Sequence, residues 1–346
     1  MNANRILENI RMIESGHSPQ EDISAILRKH RCTAWLRKGY PDHPPDPTER
    51  LNKIAAAQRF KSCAPVWQSF HGIPYAVIKG AVLSQVAYGD ASLRSSGDID
   101  LLLNRCNLDK VKAILLQHGF VQGRVTPDGV APFSRQELIF QNAMSHQTAP
   151  FIKETGNPLC PYVNVDINLN LFWGESPRKA DMEYVLAQTQ EAVLYGVSFS
   201  HLTPPMEFIS LCMHHYKDMN SLYLLSEHGL RLDQFCDILY YLKNTPPDLS
   251  QLLEACKHLE VTDYLYYCVY YTNQVCPHPV LNDYLLALDA VKKQDLTPYY
   301  GLTDAERREW KTPFLQRLFD PDFAKHFYQN LSEADRQKVT FNRAHM

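Results

Sequence analysis

The chain has 346 residues, of which 45% are apolar and 21% are charged, and its formal net charge at pH 7 is −3. A chain of this length can bury a substantial core and is expected to form two domains with additional helices. The slightly negative net charge argues against a strongly basic nucleic-acid-binding surface. No apolar run approaches the roughly 18 residues of a membrane span. The nine cysteines stand singly, without a C-x-x-C pair, and no secretory signal is seen, so we expect reduced thiols in a cytoplasmic protein.

Residues 1–48 are predicted to form a helical appendage and a linker. Two apolar stripes recur at helical spacing, Ile6, Ile10 and Ile13 followed by Ile23, Ile26 and Leu27. The sequence PDHPPDP at residues 41–47 then interrupts the pattern. Asp46 and Glu49 supply an N-cap and a capping-box acid for a helix that we expect to reach about Phe70.

A short strand, a tight turn and a helix are predicted next. Residues 75–78 have the composition of a strand, and residues 81–88 that of a helix. Backbone N–H groups at a helix N-terminus bind anions, Gly80 would let a phosphate approach the backbone closely, and Lys79 adds a positive charge. The turn is therefore a candidate phosphate-binding site.

Two aspartates begin the following strand. Asp98 and Asp100 flank Ile99, and residues two apart in a strand point to the same face, so the two carboxylates project together and repel each other. Aspartate is depleted in strands, and a buried carboxylate without a partner is costly. A hard divalent cation with oxygen ligands is therefore expected between them. Arg94 and Ser96, just before the pair, add donors for a polyphosphate.

The ordered series Lys79-Gly80, Tyr88, Arg94 and Gly97-Asp98-Ile99-Asp100 resembles the motifs of a bacterial nucleotidyltransferase family in the DNA-polymerase-beta-like superfamily. The resemblance covers residues 50–245 or so. It implies an α+β fold, in which a nucleotidyltransferase core with a mixed β-sheet is flanked by helices and followed by a C-terminal helical domain. The superfamily's usual glycine pair is Gly80-Ala81 here, a variant that occurs in the family.

The segment after this strand is predicted from shorter patterns. Residues 108–118 have the apolar spacing of a helix that stops at Gly119. Residues 138–140 are interpreted as a strand, and residues 141–147 and 154–161 as loops.

Residues 162–173, with the sequence YVNVDINLNLFW, form the clearest alternating pattern. Valine, isoleucine and leucine occupy one face, and asparagine and aspartate the other, which is typical of a strand with one polar face. The resemblance implies a third carboxylate on the strand beside Asp98 and Asp100, and Asp166 stands at the matching place. Asp166 is therefore expected to be a third metal ligand or the general base. Many relatives have a histidine where this chain has Asn168.

From residue 203 the pattern becomes helical, which sets the predicted domains at 49–202 for catalysis and 203–346 for a helical domain. The resemblance places a histidine-containing helix against the catalytic half. Lys217 or Arg231 could reach the triphosphate, and Lys217 is the predicted nucleotide-binding residue. His214 and His215 are either structural or in contact with substrate.

The resemblance implies an enzyme that transfers AMP from ATP to a hydroxyl of an acceptor and releases pyrophosphate. Two Mg²⁺ ions would be held by Asp98, Asp100 and Asp166, while Lys79, Gly80, Arg94 and Ser96 position the triphosphate. The acceptor is expected to be a small molecule or a peptide, such as a natural-product intermediate.

Two alternative functions remain open. A toxin-like nucleotidyltransferase acting on tRNA has a similar motif order, although the mildly acidic chain counts against it. A nucleotide-binding pseudoenzyme would keep the site without turnover, but all three carboxylates are present.

Overall fold

A computed structural model describes residues 2–42, 47–94, 96–144, 147–174 and 176–345. The described chain divides into two compact units, which we call the helical unit (residues 2–42 and 211–345) and the sheet unit (residues 47–210). The domain limits predicted from the sequence, 1–48, 49–202 and 203–346, stay predictions. Asp46, the predicted N-cap, lies outside the described residues.

Helices and strands are numbered in chain order. Up to residue 202 they are α1 (Ala3–Glu14), α2 (Ser24–Lys29), α3 (Thr33–Gly39), α4 (Pro47–Gln68), β1 (Tyr75–Ile78), α5 (Gly80–Tyr88), β2 (Ile99–Leu103), α6 (Leu108–Gln117), β3 (Val121–Thr126), β4 (Gly129–Pro132), α7 (Arg135–Met144), β5 (Phe151–Asn157), β6 (Cys160–Asn168), α8 (Met182–Ala187), β7 (Thr189–Leu194) and β8 (Val197–Leu202). They continue as α9 (Pro204–Asn220), α10 (Leu222–His228), α11 (Leu232–Asn244), α12 (Leu249–Leu259), α13 (Thr262–Val275), α14 (Pro279–Val291), β9 (Tyr299–Tyr300), β10 (Arg308–Glu309), α15 (Phe314–Phe319), α16 (Phe323–Asn330) and α17 (Glu333–His345).

Six strands of the sheet unit form one mixed sheet in the order β1-β2-β6-β5-β3-β4. β2 and β6 run parallel, and the other neighbouring pairs run antiparallel. The register places Asp100 of β2 opposite Ile78 of β1 on one side and opposite Asp166 of β6 on the other. With the helices around this sheet and the helical region that follows, the predicted α+β fold is confirmed.

The apolar face of this sheet explains why the acidic residues lie on the other face. Ile99, Leu101, Val165 and Ile167 alternate along β2 and β6, and all belong to one buried cluster with residues of α4, α6 and β8. Burying such side chains stabilises the fold by about 1.5–3 kcal/mol each. Because successive strand residues point to opposite faces, this packing directs the alternate positions, including those of Asp100 and Asp166, away from the cluster.

Two predictions between the motifs were wrong. Residues 138–140, interpreted as a strand, lie within helix α7. The cause is a capping box, in which the Ser134 amide donates to Glu137 Oε2 at 2.7 Å and the Glu137 amide donates to Ser134 Oγ at 3.3 Å. Residues 154–161, interpreted as a loop, form most of the hairpin between β5 and β6. Of the loop predicted at 141–147, residues 141–144 are helical and 145–146 lie outside the described residues.

In the helical unit, the N-terminal helices pack on the later ones through Glu14 at the end of α1. Its carboxylate accepts hydrogen bonds from Trp35 Nε1 and Tyr240 Oη, each at 3.0 Å, and forms an ion pair with Lys243. Burial alone would raise the pKa of Glu14, but the contacts with Lys243, Lys38 and Trp35 outweigh it and lower that pKa. A charged group therefore links α1 to α11 across more than two hundred residues of chain.

Helix length and the state of the cysteines complete the description of the fold. None of these helices is long and apolar enough to cross a membrane. All nine cysteines are free thiols, and all except Cys106 are buried.

Candidate active site

The turn after β1 has an unusual backbone conformation. Lys79 adopts φ 57° and ψ −153°, a region that is rare for any residue except glycine and costs on the order of 1–3 kcal/mol. Gly80 follows at φ 49°, and a Cβ added there would lie 3.1 Å from Ser96 Oγ. Strain of this kind persists only where surrounding contacts hold it. The glycine is needed here because the turn passes close to the segment before β2.

Asp100 is the most enclosed of the candidate carboxylates, with 8% of its surface exposed. Its Oδ1 accepts hydrogen bonds from Lys79 Nζ at 2.9 Å and from Asn168 Nδ2 at 3.0 Å. The first contact is also an ion pair. The strained turn therefore places the positive charge of Lys79 next to Asp100 of β2.

Asp98 lies just before β2 and is half-buried. Ser96 Oγ donates a hydrogen bond to its Oδ1 at 3.0 Å. Burial and the negative charge of Asp100 raise the pKa of Asp98, and the Ser96 hydrogen bond with the charges of Lys79 and Arg94 offsets only part of that effect. The raised pKa indicates two carboxylates that repel each other in a partly desolvated site.

Asp166 joins this group through the sheet, because β2 and β6 pair in parallel and place it beside Asp100. Burial, followed by the charges of Asp98 and Asp100, raises the pKa of Asp166 to about 7, although Lys79 and a hydrogen bond from Asn164 oppose the rise. All three predicted carboxylates therefore interact. The structure brings together residues that are up to 68 positions apart in sequence.

Two arginines lie at the side of this group. Arg59 of α4 donates a hydrogen bond from Nη1 to the Ser96 carbonyl at 2.6 Å, and the Arg94 amide donates to Ser84 Oγ at 3.0 Å. Arg59, Arg94, Ser96 and Asp98 line one small cleft. The predicted phosphate donors Lys79, Gly80, Arg94 and Ser96 thus all lie next to the carboxylates.

The donor set suits a divalent cation in chemistry and charge. Three carboxylates offer the oxygen ligands that Mg²⁺ prefers. Burial, followed by mutual repulsion, raises the pKa values of Asp98 and Asp166, and a cation would relieve the repulsion. The oxygens of these three aspartates, all of them described residues, do not all lie within 4.8 Å of one another. Among the described residues, the group whose ligand atoms all lie within 4.8 Å of one another is instead His214, His215 and Asp218.

Lys217, the remaining predicted site residue, belongs to the helical unit. Its Nζ lies 3.7 Å from Asp218 Oδ1, and Nε2 of His214 lies 3.5 Å from Asp218 Oδ2. His215 is buried, with its Nε2 3.3 Å from Asp237 Oδ2, which favours a structural role. Contact between Lys217 and a nucleotide stays a prediction.

Asn168 and Arg59 also belong to the candidate site, although neither was predicted to. Asn168 donates to Asp100 and accepts from Gln147 Nε2 at 2.9 Å, so it fixes the orientation of the carboxylate. Its position two residues after Asp166, on the same strand face, was the available signal. Arg59 lies on a helix with no motif around it, and no sequence pattern marks it.

Comparisons with known proteins indicate the family of the chain. A family model described as "Uncharacterised nucleotidyltransferase" matches residues 65–277, more than half of the chain. The chain is also similar to an antigenic nucleotidyltransferase-like protein from Paracoccidioides brasiliensis, with 14% identity, a TM-score of 0.36, and coverage of 70% of this chain and 94% of that chain. No curated protein matches. Every candidate site residue from Lys79 to Lys217 lies inside the range matched by the family model, and the chain belongs to this family of uncharacterised nucleotidyltransferases.

Proposed function

We propose that this protein is a Mg²⁺-dependent enzyme that transfers AMP from ATP to a hydroxyl group of an acceptor and releases pyrophosphate. Membership of a nucleotidyltransferase family supports the reaction class. The observation that carries the proposal is the parallel pairing of Asp100 with Asp166, next to Asp98 and to the Lys79-Gly80 turn.

The triphosphate would bind at the N-terminus of α5. The first N–H groups of a helix have no acceptor within the helix, and α5 begins at Gly80, next to Ser96. Lys79 and Arg94 add positive charge, and Ser96 adds a hydroxyl donor. Because Lys79 already contacts Asp100, one side chain would link the phosphates to the acidic group.

Asp98 and Asp100, with Asp166 beside them, are the residues that would hold two Mg²⁺ ions. The chemistry that Mg²⁺ supplies when bound is positive charge against the phosphates and a lowered pKa of the acceptor hydroxyl. Asn168 and Lys79 orient Asp100, and Ser96 orients Asp98. The protein therefore contributes ligands whose positions are fixed by strand pairing and by these donors.

Asp166 would accept the proton of the acceptor hydroxyl. A general base works best when its pKa lies near the pH of the reaction. Without a bound cation, burial and the two neighbouring aspartates raise the pKa of Asp166 to about 7. Its position on the strand next to Asp100, rather than its titration alone, makes it the candidate.

The acceptor is proposed to be a small hydroxylated molecule or a peptide in the cytoplasm. A formal net charge of −3 disfavours a large polyanion such as tRNA, because binding nucleic acid relies on positive charge. The unpaired cysteines are consistent with a reducing compartment.

The test uses ATP labelled at either the α- or the γ-phosphate, with Mg²⁺, and with no acceptor, tRNA, hydroxyl-containing peptides or small hydroxylated metabolites. We expect α-label to transfer to a peptide or metabolite together with release of pyrophosphate. Transfer of the γ-label would refute the proposed reaction. Transfer of α-label to tRNA alone would favour the toxin-like enzyme, and binding of ATP without transfer to any acceptor would favour a pseudoenzyme.

Two variants make this test specific to the site. Replacing Asp98 and Asp100 by Asn should abolish transfer. Asp128→Asn removes an exposed carboxylate between β3 and β4 in the same unit and should leave transfer unchanged.

A further inference from the structure

A cavity of about 830 Å³ lies in the helical unit, among the β9–β10 hairpin, α15, α16 and the start of α17. Its walls combine aromatic and cationic side chains, including Trp310, Phe323, Phe327, Arg308 and Arg317. This volume is in the range of small-molecule sites, which are largely apolar with a few polar anchors. The cavity is built by residues 300–335, outside the range 65–277 that matches the family model.

Arg317 is the unusual residue of this cavity. It is 3% exposed, and among the described residues no Asp or Glu forms an ion pair with its guanidinium. Within the described part of the chain, the guanidinium donates a hydrogen bond from Nη2 to Tyr271 Oη at 3.3 Å, and Nε has no acceptor. A guanidinium carries five N–H donors, and burying a charge without a counter-charge costs several kcal/mol.

Aromatic rings offset only part of that cost. The guanidinium carbon of Arg317 lies 3.7 Å from the Trp310 ring centroid and 5.6 Å from that of Phe314. A desolvated cation–π contact stabilises the guanidinium, but it provides no acceptor for the N–H groups. The indole Nε1 of Trp310 is itself buried without an acceptor among the described residues.

Two of the three acids that line the same cavity are paired with other cations, and the third, Glu309, is exposed and forms no ion pair with Arg317. His326 Nδ1 lies 2.8 Å from Asp320 Oδ2, and Arg308 Nη2 lies 3.6 Å from Asp335 Oδ2. Arg317 also lines a second cavity of about 410 Å³, so it is not sealed within the core. The charge of Arg317 is therefore uncompensated but reachable.

We propose that this cavity binds a small organic anion, whose carboxylate or phosphate pairs with Arg317 and whose aromatic body packs against Trp310 and Phe327. The anion supplies both the missing counter-charge and acceptors for the free donors. Arginine suits either oxyanion because its planar fork binds two oxygens at once. The proposal is independent of the nucleotidyl transfer proposed above, because binding requires neither nucleotide nor turnover.

The test measures binding to the full chain by calorimetry and by thermal unfolding, with phenyl phosphate, benzoate, inorganic phosphate and acetate as separate probes. Phenyl phosphate or benzoate should bind saturably and raise Tm, and whichever binds more tightly identifies the head group. The two small anions should bind at least tenfold more weakly. Equal affinity for inorganic phosphate and phenyl phosphate would overturn the role of the aromatic wall, and no binding by any probe would overturn the site.

Variants separate a ligand site from a structural arginine. Arg317→Met should weaken binding at least tenfold without lowering Tm in the absence of anion, since it removes an unpaired buried charge. Arg317→Lys keeps the charge and should retain weaker binding. Arg336→Met is the matched control, because this arginine pairs with Glu333 at 3.0 Å and does not line the cavity. A lower Tm for Arg317→Met with unchanged anion affinity would assign Arg317 to packing alone.

Discussion

Asp166→Asn should stabilise the protein in the absence of Mg²⁺ and at the same time lower its turnover. A pKa raised from 3.8 to about 7 corresponds to about 4 kcal/mol against the charged carboxylate in the folded state. Because Asp166 is half-buried, solvent screening leaves roughly half of this figure as the lower limit. We therefore expect the free energy of unfolding of the variant at pH 8, with EDTA, to exceed that of the wild type by about 2–4 kcal/mol.

The pH dependence follows from the direction of the shift. A raised pKa means that the folded state holds the proton more tightly than the unfolded state, so ionisation of Asp166 destabilises the wild type as pH rises from about 4 to about 7. Asparagine cannot ionise, so the advantage of the variant should be full at pH 8 and absent near pH 4. Urea denaturation at five pH values measures this, with Asp128→Asn as the exposed control.

Activity gives the second half of the prediction. With the true acceptor, Asp166→Asn should keep nearly normal affinity for ATP and lose about 10² to 10⁴ in turnover, the usual effect of a lost general base. An equal change in stability at pH 4 and pH 8 would refute the desolvation argument. Full turnover in the variant would leave Asp166 as an ordinary polar residue on a strand.

Three further changes test the remainder of the site. Replacing both Asp98 and Asp100 by Asn should remove Mg²⁺-dependent binding of ATP, measured by calorimetry, because the variant lacks two of the three proposed ligands. Unchanged Mg²⁺ dependence would locate the metal elsewhere. Gly80→Ala, at φ 49° and with a Cβ 3.1 Å from Ser96 Oγ, should lower the unfolding free energy by about 1–3 kcal/mol in urea, and no change would show that the turn relaxes. Asn168→Ala should weaken Mn²⁺ binding about tenfold in a spectroscopic titration, because Asp100 loses an orienting donor, and unchanged affinity would contradict that role.

Local patterns predicted the elements of the site well, but they did not predict which elements are neighbours. The expected strand at residues 75–78 is observed as β1, Tyr75–Ile78, and alternation assigned the faces of β2 and β6 correctly. Periodicity shows which way a side chain points and nothing about the strand beside it. The expectation that Asp166 lies next to Asp100 came from the family resemblance, and the register of the sheet agrees with it.

What the sequence did not reveal depends on backbone conformation and long-range contact. Lys79 was expected to face phosphate, yet its Nζ contacts Asp100. Its backbone conformation is one that glycine normally adopts, so a lysine at this position gave no indication of it. Arg59 reaches the Ser96 carbonyl from 37 residues away. Helix α7 differs from these cases, because the Ser134 and Glu137 of its capping box are visible in the sequence, whereas the three adjacent apolar residues at 138–140 indicated a strand.

The order in which the two units can be completed during synthesis follows from the path of the chain. The sheet unit is one continuous segment, and it is finished once residue 210 has been made, whereas α1 must wait for α11, where Tyr240 and Lys243 contact Glu14. At about 5–20 residues per second, this wait lasts roughly 10–40 s. During that interval Ile10 and Ile13, which are 0% exposed in the finished protein, have no partner helices from the second half of the chain. Helix α1 therefore stays without these partners until α11 has been made.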